Sequence, residues 1–531
     1  MIRKIILVIL IISNLKCDTR HAEKDYNNFK FLEYDILQMQ EGYNKKDFKI
    51  IDVANAYVSR INSIDFSGPK LNSIIQINPD IFEIAKELDK ELARGNIRGP
   101  LHGIPILIKD NINTGDKMFT TAGSLALKNS QAKTDSYIVR KLRESGALIL
   151  GKSNLSEWAN FRGQNSSSGW SGINGQTKNP YVLSRNPCGS SSGSGVAVAA
   201  NLTMLAIGTE TNGSIICPSN NNGIVGIKPT VGLLSREGII PISYTQDTPG
   251  PMSRNLTDAV IALGVMTGID KNDPKTKLSD GKYLKDYTKF LKIGGAKGKK
   301  IGVYTLPLKD KSRRRGYSQE VDTLFKRSLK TLKSLGAELV ELDTINHRDL
   351  GLNSYKVMLY EFKDGVNKYL KTLRDNVVVN SLSDVIEFNK NDSVELKFFN
   401  QYYLEQANKT EGIDSPEYNK SLANLNVMSK DLGIDRVMKK YDLDAIVSPS
   451  GGPAWKTDPI YGDNYHIGSS SPAARAGYPN VTIPMGDING LPVGISFFGM
   501  SWTEPELIEI AYDYEQKTKK RIIPKFRKNI K

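Results

Sequence analysis

Short apolar runs alternate with amphipathic stretches along most of this chain, and that alternation predicts a layered α/β architecture. In residues 47–61, Ile50, Ile51, Ala54, Tyr57, Val58 and Ile61 recur at the spacing of one helix face. Residues 71–77 read as a strand, and 79–94 as a helix opened by Pro79 and closed at Gly95. Residues 105–109 form a buried-strand pattern, 135–144 a helix ending near Gly146, and 147–151 another strand. Strands separated by helices predict a sheet with helices packed on its faces.

The pattern continues with a short helix of small residues at 196–201, a buried strand at 203–208 and an apolar run at 224–228. Residues 245–251 are turn-rich, and 255–267 place Ala259, Ala262, Leu263 and Met266 on one helix face. A second α/β portion follows as strand 300–305, amphipathic helix 317–335 and strand 337–342. Residues 349–437 read as helical and lysine-rich without an internal repeat, and the strand pattern resumes at 445–448.

The chain has 531 residues, 39% of them hydrophobic, which is enough for a large core and excludes a disordered protein. Lysine and arginine outnumber acids 72 to 57, but they are scattered over helix faces and the tail rather than interleaved with aromatics, so no nucleic-acid partner is expected. Residues 1–17 form an export signal: Arg3 and Lys4 precede an apolar run over 5–12, too short to span a bilayer comfortably. Cys17 follows directly, where a bacterial lipoprotein carries its acylated cysteine, although Asn14-Leu15-Lys16 is a poor lipobox. The expected address is therefore outside the bacterial cytoplasm, periplasmic or membrane-anchored, with lipidation of Cys17 left open.

Cysteines stand only at 17, 188 and 217, which excludes a disulfide framework. Cys188 and Cys217 admit two readings, small apolar packing or a single disulfide in an oxidising compartment. Four histidines and no dense Cys/His cluster argue against zinc, and neither a metal nor a cofactor is expected.

The chemistry concentrates in residues 186–218. Ser190, Ser191 and Ser192 lie in a glycine-serine run, and Ser214 closes Thr211-Asn212-Gly213-Ser214 one small apolar segment later. A linker would not lead directly into an apolar helix and strand, and a phosphate loop of the Walker type needs a Gly-Lys-Ser/Thr that is absent. The order loop, helix, strand, loop brings both serine loops to one end of a packed layer.

This segment resembles the core of the amidase signature family of serine hydrolases. The spacing from Ser190 to Ser214 matches that family, as does the lysine ending Gly103-Ile104-Pro105-Ile106-Leu107-Ile108-Lys109-Asp110, and the likeness extends from about 54 to 521. Residues 477–484 and 491–495 resemble the family's carboxyl-terminal strands, which are expected to rejoin the first sheet. The resemblance implies one large domain over 26–525, an α/β/α sandwich around a large mixed sheet. It also implies amide hydrolysis with Ser214 as nucleophile, Ser190 as proton relay after a cis Gly189-Ser190 peptide, Lys109 as base and Ser191 in support. The backbone N–H groups of Thr211, Asn212, Gly213 and Ser214 become the oxyanion hole, with Asn212 standing where many relatives have glycine.

Lysine at its ordinary pKa of ~10.4 is charged at neutral pH, so the base role requires desolvation. Ile104, Ile106, Leu107 and Ile108 offer it, and strand alternation turns Asp110 to the opposite face. A Ser-His-Asp triad is the competing arrangement, but only His102 lies near a motif, and its place in Leu101-His102-Gly103 reads as structural.

Ile216 stands where many relatives carry an arginine suited to a carboxylate-bearing substrate. Together with residues 188–194 and 452–455 this most resembles the bacterial peptide amidase branch, with Trp455 as a candidate substrate contact and a small-molecule or peptide amide as partner. The alternatives are the glutaminase component of a tRNA amidotransferase and a non-catalytic binding protein on the same scaffold.

Overall fold

The computed structural model describes residues 26–309, 318–342, 344–345 and 349–530. The expected export signal and Cys17 lie outside them. Eleven strands build one sheet: β1 (Ile74–Ile77), β2 (Pro105–Lys109), β3 (Leu148–Ser153), β4 (Leu205–Glu210), β5 (Val225–Lys228), β6 (Thr248–Ser253), β7 (Lys300–Val303), β8 (Glu338–Glu341), β9 (Ala445–Pro449), β10 (Asn480–Ile488) and β11 (Leu491–Phe498). Their order across the sheet is β1-β3-β2-β4-β6-β5-β10-β11-β9-β7-β8. The sheet is mixed: β3-β2-β4 and β9-β7-β8 run parallel, and the remaining neighbours antiparallel.

Each parallel trio is crossed over by helices, as parallel connections require, and β2, β3 and β4 are buried along their whole length. The distant carboxyl-terminal strands do rejoin the sheet. β10 pairs with β5, and β9 then carries the portion at 300–342 onto the far edge, giving a single α/β domain.

Two local expectations change. Residues 248–253 form a central strand rather than a turn. Pro249 and Pro251 lie two positions apart, so both missing donors fall on one side of it. β4 pairs with all six residues from the other side, while β5 reaches only Met252 and Ser253. The helix expected at 196 starts at Ser192 and runs to Ala199. Glycine weakens an isolated helix by about 1 kcal/mol, but a Cβ on Gly193 would lie 2.2 Å from Ser73 O and 2.5 Å from Asn154 N. Close packing on the neighbouring chain requires glycine there and overrides its propensity.

The helical region includes Leu350–Leu370, Leu382–Asn391, Tyr402–Asn408 and Pro416–Asn426. Phe362, Val366 and Leu370 pack on Trp158, Phe161, Ile240 and Ile242, which covers loops extending from the sheet. Buried Arg162 joins the two layers, with Nε 2.7 Å from Glu157 and Nη2 3.2 Å from Glu395. Two carboxylates share this one guanidinium, and burial pushes the Glu157 carboxyl well up.

Candidate active site

β2 ends at Lys109, whose side chain is wholly buried. Its Nζ is 2.7 Å from Ser190 Oγ, 2.8 Å from Thr209 Oγ1 and 3.3 Å from Thr209 O. A neutral amine meets all three, donating to the two Thr209 oxygens and accepting from the Ser190 hydroxyl. Burial pushes the Lys109 pKa down to about 7, with the negative charges of Asp247 and Glu210 opposing the shift. Asp110 points to the other face as alternation requires, where the Thr121 N–H donates to it at 3.2 Å.

The peptide between Gly189 and Ser190 is cis. Ser190 O accepts from Ser156 N at 3.0 Å, while the Ser191 hydroxyl donates to Thr209 O at 3.1 Å and accepts from Thr209 N at 3.2 Å. Ser191 N donates to Ser214 O at 3.1 Å. Ser191 thereby clamps the first serine loop to β4 and to the second loop.

Past β4 the chain turns sharply at Gly213, with φ +87°. The Glu210 carboxylate closes the turn by accepting from Ile215 N at 2.8 Å and Ile216 N at 3.0 Å. The N–H groups of Thr211, Asn212, Gly213 and Ser214 have no acceptor among the described residues, so four adjacent donors remain available to a developing negative charge. Ser214 is nearly buried, at 8% exposure, and its hydroxyl likewise lacks a partner among the described residues. The Ser190 and Ser214 hydroxyls are thus not yet bonded to each other, as is common before substrate arrives.

Residues that sequence reasoning missed brace this loop. The Thr211 hydroxyl donates to Asp247 Oδ1 at 2.5 Å, and Asp247 Oδ2 accepts from Ile242 N at 2.7 Å and Ser243 N at 2.8 Å. Glu361, on the helix Leu350–Leu370, accepts from Ser243 Oγ, from Thr245 Oγ1 at 2.5 Å and from Tyr418 Oη at 2.8 Å. Asp247 and Glu361 are far from both serine motifs in sequence, and only the fold brings them there. Thr209 stood inside the informative stretch, one residue past the strand predicted at 203–208, and that position was the available signal.

Cys188 and Cys217 form a disulfide, which decides between the two readings left open above. It ties the residue two before Ser190 to the residue three after Ser214. Trp455 packs against it, donates Nε1–H to Asp463 at 3.2 Å and meets Tyr465 edge-on. Trp455 lines a side pocket of about 220 Å³. It does not line the larger cavity of about 670 Å³, which reaches Thr209, Thr211 and Asp247 beneath the helical region. Arg236 and Lys368 line that larger cavity, paired with Asp273 at 2.6 Å and Asp364 at 2.7 Å. His102 is structural as expected, with Nε2 3.1 Å from Leu88 O and Nδ1 accepting from Arg98 N at 3.3 Å. Among the described residues, no group of three or more His, Cys, Asp or Glu is placed to hold a metal ion.

The chain is similar to known proteins along most of its length. Residues 52–508 match the family described as Amidase. The fold superposes with a TM-score of 0.89 on the peptide amidase of Stenotrophomonas maltophilia, at 45% identity over 94% of this chain and 99% of that one. A probable amidase of Arabidopsis thaliana is 38% identical over 514 residues, 94% of this chain and 93% of its own length. A glutamyl-tRNA(Gln) amidotransferase chain of Thermoanaerobacter pseudethanolicus is 31% identical over 498 residues, 91% of this chain and 96% of its own.

Proposed function

The chain belongs to the amidase signature family and is an amidase, and from that premise we propose that it hydrolyses carboxamides through an acyl-enzyme on Ser214, using Ser190 and Lys109 as its proton relay. The buried 2.7 Å contact between Lys109 Nζ and Ser190 Oγ carries this reading. Neutral Lys109 takes the Ser190 proton as Ser190 takes that of Ser214, and Ser214 Oγ bonds to the amide carbon. The oxyanion develops opposite the free N–H groups of 211–214. On collapse the proton returns through Ser190 to the amide nitrogen, the C–N bond breaks and ammonia leaves. Water then attacks the ester, its proton passing to Lys109 through Ser190 and back to Ser214 Oγ as the carboxylate departs.

Peptide carboxyl-terminal amides are the proposed substrates. The 45% identity to a peptide amidase supports this class, as does Ile216 in place of an arginine. Ile216 is fully buried. Trp455, against the disulfide rather than in the large cavity, is proposed to act only from the side pocket. Export is part of the same proposal: the Cys188–Cys217 disulfide suits an oxidising compartment, and a membrane anchor at Cys17 would follow from the same signal.

The test is turnover of the purified protein on a panel of amides, with ammonia as the readout and Ser214→Ala as control. Release of ammonia from glutamine alone, with none from amidated peptides, would favour the glutaminase reading instead.

A further inference from the structure

The side pocket beside the disulfide gathers positive charge with no direct ion pair to either cation among the described residues. Arg185 and Lys456 face each other across an isolated antiparallel bridge. The flanking bonds run from Asn186 N to Trp455 O at 2.7 Å and from Thr457 N to Ser184 O at 3.1 Å. This is the register in which the paired residues do not bond to each other and their side chains stand closest. Like charges directly opposite are unfavourable, yet neither residue makes an ion pair among the described residues. Among the described residues the Arg185 guanidinium donates only to Ala454 O, at 3.4 Å.

Both cations line the pocket of about 220 Å³, and so does His466, whose Nε2 is buried with no partner among the described residues. The nearby acids spend their oxygens on other donors, although the Lys456 charge helps to hold the Asp458 carboxyl below its ordinary range after the N–H groups of Tyr461 and Ile460. Asp458 accepts from Ile460 N at 2.8 Å and Tyr461 N at 2.9 Å, and Asp463 from Ser168 N at 3.0 Å, from Ser168 Oγ and from Trp455 Nε1. A water occupies about 30 Å³ in the liquid, so the pocket has room for a carboxylate with a short alkyl stem against the aromatic wall of Trp455 and Tyr465.

The pocket adjoins the catalytic loops. Gly451 bridges Gly468, and Ser470 and Ser471 then donate to Asn212 Oδ1 at 3.2 Å each. Trp455 touches the disulfide between the two serine loops.

We propose that this pocket is an anion subsite for the substrate, seating a carboxylate on the acyl part of an amidated peptide between Arg185, Lys456 and His466. The inference rests on the amidase reading and adds a preference for acidic peptides to it. Two charge-assisted contacts to one carboxylate fix its position as well as its affinity.

The probes are N-acetylated tripeptide amides in which glutamate replaces glutamine at each position in turn. They are titrated into Ser214→Ala protein, so that binding is read without turnover. One glutamate peptide is expected to bind about tenfold or more tighter than its glutamine counterpart. That ratio should fall towards one in Arg185→Gln/Lys456→Gln, and partly in Lys456→Gln alone, an exposed change that leaves the fold a second chance. Inorganic phosphate should weaken the glutamate peptide selectively. The proposal is overturned by equal binding of both peptides at every position, by a preference that survives the double substitution, or by phosphate binding without any peptide preference. Failure of the amidase reading would look different: wild-type protein would release no ammonia from the glutamine peptides, whatever the titrations show.

Discussion

Lys109 Nζ lies 2.7 Å from Ser190 Oγ at a point where both side chains are fully buried. The end of a parallel strand thereby delivers an amine to a serine 81 residues away, with the row of free N–H groups at 211–214 on the next loop. Thr209 holds the amine from the other side, so its orientation does not depend on Ser190 alone.

Ser214→Ala should abolish acyl-enzyme formation, because the other hydroxyl on the loop with the free donors, that of Thr211, is committed to Asp247. A covalent serine-reactive probe is expected to label wild type at Ser214 and leave the variant unlabelled. Undiminished labelling of the variant would remove Ser214 from the nucleophile role.

Activity should rise with pH through the neutral range. The base is neutral lysine, and burial pushes its pKa down to about 7, so the active fraction grows as pH climbs through that value. Lys109→Ala should lose orders of magnitude in kcat while retaining the fold. With chemistry shown to be rate-limiting, a flat profile from about pH 5 to 9 would contradict the neutral base.

Asp247→Asn should move that acid limb to lower pH. The Asp247 charge opposes the downward shift of Lys109, so its removal lets the lysine fall further, the other opposing charge being Glu210. kcat should also drop, by up to about 100-fold if Thr211 and its N–H are displaced. An unchanged limb with reduced stability would mean that Asp247 serves the fold alone.

Replacing both Cys188 and Cys217 by serine should lower stability by about 3.6 kcal/mol, the loop-closure contribution for a separation of 29 residues. Denaturant midpoints measure it. Because the disulfide ties the two serine loops, kcat is expected to fall more than KM rises. Unchanged kinetics in a destabilised variant would limit the bond to a structural role.

Amidated dipeptides should be better substrates than glutamine. A buried apolar side chain contributes roughly 1.5 to 3 kcal/mol, whereas glutamine brings a free amino acid's charges close to the scissile amide with no arginine at 216 to receive them. Specificity constants decide the matter, and a clear preference for glutamine would show that Ile216 was misread.

What the sequence determined by itself was local or carried by spacing. Apolar periodicity located β2, β3, β4, β9 and most helices because burial on a helix face or strand leaves a short-range pattern. The motif spacing picked out Lys109, Ser190 and Ser214, since each sits at the end of a strand or in a tight loop whose residues are adjacent in the chain. What only the tertiary structure decided depended on partners distant in sequence. The prolines of β6 disguised a strand whose place is set by six pairings with β4. Asp247 and Glu361 gave no local sign, because their role is to hold loops brought together by the sheet and the helix above it. The same holds for Arg185 and Lys456: each is an ordinary surface-type cation in the sequence, and only an antiparallel bridge 271 positions long in the chain sets the two charges face to face.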